Sequence, residues 1–88
     1  MERFRIVRRC DRVPTFRTRI INKDFAAASD VELPSAEKAL NQALTAALEI
    51  GSDEIKKGQP FFGAEIIVER DGERVNRLVI AIGVSPLQ

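Results

Sequence analysis

The chain has 88 residues, of which 44% are apolar and 31% charged, with a net charge of +1; this is the size of one domain and the composition of a folded chain rather than a disordered one. It contains no His, Trp or Tyr and a single cysteine, Cys10, so histidine-based triads, a zinc site built within one chain and an internal disulfide are all excluded. The longest apolar run near the end, Leu78 to Ile82, is far short of the ~20 residues a membrane helix needs.

Glu2 to Arg9 alternates charged and apolar residues, with Phe4 and Ile6 on one face and Arg3 and Arg5 on the other, which predicts a strand rather than a secretory leader. Together with the lone cysteine this places the chain in the reducing cytoplasm. Arg12-Val13-Pro14-Thr15 reads as a loop, because proline cannot donate to a sheet ladder. Phe16 to Ile21 alternates again, setting Phe16, Thr18 and Ile20 opposite Arg17, Arg19 and Ile21. The two runs are expected to pair as a first hairpin. Asn22 to Asp30 is ambiguous: three alanines favour a helical turn, but nothing periodic follows.

The helix is the clearest element. Ser35 is a good N-cap after Pro34, and Glu37 sits in the first turn, where the helix dipole favours an acid. Leu40, Ala43, Leu44, Ala47 and Leu48 then recur at helical spacing. Gly51 weakens the helix, and Ser52-Asp53-Glu54 can cap a second piece ending at Lys56-Lys57-Gly58, so the pattern predicts either one kinked helix or two pieces broken near Gly51.

Phe61 to Arg70 and Glu73 to Val84 read as a second hairpin around Asp71-Gly72. A two-residue turn pairs Val68 with Val75 and Ile66 with Arg77, which puts a charge on an apolar face. A three-residue Arg70-Asp71-Gly72 loop with Gly72 left-handed pairs Ala64 with Leu78, Phe62 with Ile80, Glu65 with Arg77 and Ile67 with Val75. That register is preferred, because it gathers Phe62, Ala64, Ile66, Val68, Leu78, Ile80 and Ile82 on one face, to pack against Leu40, Leu44 and Leu48. Residues 84–88 form a tail. The expected fold is a single α+β domain over 1–88, of ββαββ order, with an antiparallel sheet and one long helix on one face.

From residue 31 on, the step Glu32-Leu33-Pro34-Ser35, the Ala/Leu-rich helix and the run Ala64-Glu65-Ile66-Ile67-Val68-Glu69-Arg70-Asp71-Gly72-Glu73 resemble a family of short bacterial proteins of unknown function. The likeness covers residues 31–84. It implies a strand, an acidic–Leu–cap step, an alanine-rich helix and an Asp-Gly hairpin, and it carries no activity or binding residues. The first strand departs from it, being arginine-rich where the family's is aromatic-rich.

Three features bear on function. Residues 1–23 hold eight basic against two acidic side chains, a net of +6, whereas residues 24–88 hold six against eleven, a net of −5. Arg3, Arg5, Arg17 and Arg19 can therefore form a basic face suited to nucleic acid. The alternative reading, in which they pair with Glu65, Glu69 and Glu73 across the sheet, is favoured, because the acidic remainder would repel a polyanion. Second, Cys10 sits among arginines that would lower its pKa, but with no base or partner cysteine nearby in sequence it reads as an incidental loop residue. Third, Phe61, Ile67, Val75, Val79 and Ala81 fall on the hairpin face away from the helix. Either the segment from Asn22 to Val31 folds over them or a second chain does, and a homodimer is the expected partner. With scattered glycines, no phosphate loop and no carboxylate pair, no catalytic, cofactor or metal site is expected. The reading is a non-catalytic interaction module, with nucleic-acid binding as the alternative and no membrane association.

Overall fold

A computed structural model describes residues 13–85. Four strands and one helix follow in the order β1 (Thr15–Ile21), β2 (Ala26–Glu32), α1 (Ala36–Lys56), β3 (Phe61–Arg70) and β4 (Glu73–Gly83). The strands form one antiparallel sheet in the spatial order β2-β1-β3-β4. Both β2 and β3 run antiparallel to β1, so α1 makes a parallel crossover from the β2 edge, past β1, to β3. The fold is the expected α+β domain of ββαββ order.

The first hairpin is not the expected one. Glu2 to Arg9 lies outside the described residues, and the Phe16 strand pairs instead with Ala26–Glu32, Phe16 opposite Val31 and Ile20 opposite Ala27. Asn22 makes this possible. Its backbone exchanges hydrogen bonds with Phe25, its Oδ1 accepts from the Asp24 amide at 2.6 Å, and its Nδ2 donates to the Gly63 carbonyl at 3.0 Å. The side chain thus closes the Lys23-Asp24 turn and ties it to β3. Residues 26–31 are therefore an edge strand lying in the sheet, and not a lid folded over it.

At its start α1 obeys its sequence: the Lys38 amide donates to Ser35 Oγ at 3.2 Å. At its end Gly58, with φ of 107°, closes a Schellman motif in which the amides of Gly58 and Gln59 donate to the carbonyls of Ile55 and Glu54. The break expected near Gly51 is absent. The helix runs unbroken through it, because Gly51 is buried at the sheet and a Cβ there would stand 2.7 Å from Phe62 Cδ2. Its role is close approach.

The buried line on α1 is Ala39, Ala43, Ala47 and Gly51, one small residue every four. The leucines expected at the centre flank it instead: Leu40 and Leu44 are half-buried and Leu48 is 44% exposed. The reason is volume. The sheet presents Phe16, Ile20, Phe62, Ile66 and Val68, all buried, and a close-packed interior leaves room for little more than methyls opposite them. Arg70 lies over the Phe16 ring, 5.7 Å from its centroid, and closes that end of the core.

The second hairpin combines the two alternatives. Asp71 (φ 54°) and Gly72 (φ 82°) make a two-residue turn between Arg70 and its partner Glu73. A β-bulge then shifts the register: Glu69 pairs with Arg74, but Val68 pairs with Asn76, leaving Val75 as the extra residue. From there Ile66 meets Leu78, Ala64 meets Ile80 and Phe62 meets Ile82. The apolar face is the expected one. The pairings Ala64–Leu78, Phe62–Ile80, Glu65–Arg77 and Ile67–Val75 are replaced, Glu65 now facing Val79 and Ile67 facing Arg77, since the bulge rather than a three-residue loop supplies the shift.

Candidate interaction face

With α1 on one side, the other side of the sheet carries no covering element among the described residues. Period-two alternation assigns its side chains. Arg17, Arg19 and Ile21 come from β1; Ala26, Ala28 and Asp30 from β2; Phe61, Glu65, Ile67 and Glu69 from β3; and Arg77, Val79 and Ala81 from β4. Of the four residues singled out as an apolar back, Phe61 is 61% and Val79 64% exposed, Ile67 is half-buried, and Val75, the extra residue of the bulge, is exposed. The Phe61 ring leans along its own strand over Gly63, where a Cβ would come within 3.1 Å of it.

The charged residues on this face are paired across strands. Arg17 meets Asp30 of β2 at 3.2 Å, Arg19 meets Glu69 of β3 at 3.1 Å, and Arg77 of β4 meets Glu65 of β3. Arg17 and Arg19, two of the four arginines considered for nucleic acid, thus each hold a carboxylate; Arg3 and Arg5 lie outside the described residues, as does Cys10. These pairs are half in water and contribute little to stability individually. Their effect is to fix long side chains over the sheet and to leave the β1–β3–β4 surface close to neutral.

At one end of the sheet a cleft of about 460 Å³ opens between the Asn22–Asp24 turn, Glu54 near the end of α1, Gln59 in the loop that follows it, and the rings of Phe25 and Phe61. Lys23, Asp24, Glu54 and Gln59 also line it, while the Asn22 side chain is engaged by the Asp24 amide and the Gly63 carbonyl. Among the described residues no three His, Cys, Asp or Glu side chains gather as a metal would require, and no helix is long and apolar enough to cross a membrane. Sequence reasoning found the apolar strip, the arginines and, in Glu69, the partner of Arg19; it missed Asp30, the partner of Arg17, which lay in a segment without periodicity. No protein-family model, curated protein or solved structure matches the chain.

Proposed function

We propose that this domain is a non-catalytic interaction module that pairs with a second copy of itself through the open face of its sheet. One observation carries the reading. A single helix covers one side of a four-stranded sheet, and the opposite side leaves Phe61 and Val79 more than half exposed around Ile67. Covering such side chains is worth ~1.5–3 kcal/mol each when burial is complete, and so small a domain has little stability to spare. Asn22 to Val31 is spoken for as turn and edge strand, so no described segment serves as the cover. Two-fold pairing of identical surfaces is the commonest solution.

Size sets the strength. With β1 and β2 seven residues long, β3 ten and β4 eleven, strands about 4.8 Å apart span roughly 550 Å² in plan, below the ~800 Å² per partner of a standard interface. The dimer therefore belongs in the micromolar range. A single cysteine suits the cytoplasm, and the acidic–Leu–cap step, alanine-rich helix and Asp-Gly hairpin suit the family of short bacterial proteins that the chain resembles. Nucleic-acid binding is the weaker alternative, because Arg17 and Arg19 already hold carboxylates.

Sedimentation equilibrium tests the proposal. The parent should dimerise at tens to hundreds of micromolar, and Ile67→Lys should be monomeric yet still folded, with a cooperative melt that no longer depends on protein concentration. A parent that stays monomeric at millimolar concentration refutes it.

A further inference from the structure

Ile67 sits at the centre of a charge pattern with alternating sign. Arg19 on β1 and Arg77 on β4 are both in register with it, one on each side. Glu65 and Glu69 stand two residues before and after it on β3, on the same face. Going round Ile67 the order is Arg19, Glu69, Arg77, Glu65. The two ion pairs, Arg19–Glu69 and Arg77–Glu65, are related by a half-turn about the Ile67 side chain. The pattern is an electrostatic quadrupole with an apolar hub.

Such a pattern constrains how the face can meet its own copy. A two-fold axis along the strands brings Arg19 over Arg77 of the second copy, and an axis across the strands brings Glu65 over Glu69. Both put like charges together, as does the roughly 30° crossing of aligned sheets. An axis on either diagonal does the opposite: every arginine lands over a carboxylate, giving four new Arg–Glu contacts around two apposed Ile67 side chains. The diagonal axes also turn the strands of one copy nearly perpendicular to those of the other, which is the second of the two ways in which sheets pack.

Building on the proposed self-association, we infer that the open face recognises a second copy with its strands crossed at close to a right angle, an orientation selected by the Arg19–Glu69–Arg77–Glu65 quartet around Ile67. The quartet supplies direction more than affinity. Each arginine must lose part of its water on docking, which offsets most of the Coulomb gain, while a misaligned encounter meets uncompensated repulsion. Affinity comes from Ile67 and the neighbouring Ile21 and Val79.

The experiment is thiol cross-linking in solution with a short bis-maleimide, in a Cys10→Ser background. Single-site variants Arg19→Cys, Arg77→Cys, Glu65→Cys and Glu69→Cys are mixed in pairs at concentrations where sedimentation shows dimer. Crossed docking predicts dominant cross-links between position 19 and position 65 or 69, and several-fold weaker dimerisation of the parent when salt is raised through the range that collapses the screening length. Dominant 19–77, 19–19 or 65–69 cross-links, or dimerisation strengthened by salt, overturn the orientation while leaving self-association standing. A parent that sediments as a monomer overturns both.

Discussion

Replacing Gly51 with alanine sets two effects of known sign against each other. Inside a 21-residue helix that ends five residues further on, alanine is favoured over glycine by about 1 kcal/mol, and on helix propensity alone Gly51→Ala stabilises the domain. The packing opposes this. The new Cβ would stand 2.7 Å from Phe62 Cδ2 and 2.8 Å from Ile82 Cδ1. Ile82 Cδ1 is the tip of a flexible chain and can move aside. Phe62 is 3% exposed in the main core and its ring has nowhere to turn. Overfilling a packed site of this kind costs about 1–3 kcal/mol, so the net effect is a loss of about 1 kcal/mol, or roughly 4–8 °C in melting temperature for a domain of this size. With no Trp or Tyr in the chain, calorimetry or far-ultraviolet circular dichroism is the suitable assay. Phe62→Leu, which withdraws the ring, should turn the effect of Gly51→Ala back into a gain, with a coupling energy of about 1–2 kcal/mol in the double-mutant cycle. A higher melting temperature for Gly51→Ala in the parent would show that the helix does not approach the sheet this closely.

The rotation of the helix gives a second contrast. Leu44→Asp, on a residue packed against the core, should cost about 2–4 kcal/mol, while Leu48→Asp, at a 44% exposed site, should cost under about 1 kcal/mol; equal losses would restore the leucine stripe as the buried face. Gly72→Ala forces a left-handed backbone (φ 82°) onto a residue with a Cβ and should lower stability by about 1–2 kcal/mol, which chemical denaturation measures directly. Short single-stranded DNA or RNA at ~0.15 M salt should show no mobility shift; micromolar binding abolished by joint replacement of Arg17 and Arg19 with alanine would raise the nucleic-acid reading above self-association.

Period-two alternation was enough to assign the faces of β1, β3 and β4, and cap chemistry was enough to place both ends of α1, because each signal is local. What failed was relational. The strand Ala26–Glu32 has no alternation to read, since six of its seven residues are exposed; only its ladder to β1 makes it a strand. Hydropathy weights leucine above alanine and glycine, so the expected stripe was centred on Leu40, Leu44 and Leu48; it included Ala43 and Ala47 but left out Ala39 and Gly51, which complete the buried line. Which stripe is buried depends on the bulk of Phe62 and Ile66 across the interface, which no window of helix sequence contains. Gly51 was read through backbone entropy for the same reason. The hairpin register failed because a β-bulge at Val75 has no strong residue signature. The apolar strip of the candidate site was legible, and the quartet around Ile67 was not, since it joins β1, β3 and β4 through the final register.

The strand order has a consequence for how the chain finds this structure. The β1–β2 and β3–β4 hairpins close over turns of a few residues and can form within microseconds, yet a lone two-stranded hairpin is marginal in water. Each gains its footing only when β1 zips to β3, and that seam joins Arg17 to Glu69 and Ile21 to Glu65 across the whole length of the helix. Loop closure there is the slow, entropically costly event, and the helix that spans it also seals the core it creates. The domain therefore behaves as two halves with one joint. A chain severed at Gly58, in the exposed loop after α1, would leave the pieces β1–β2–α1 and β3–β4, each incomplete as a core, and folded structure would return only when the two are mixed.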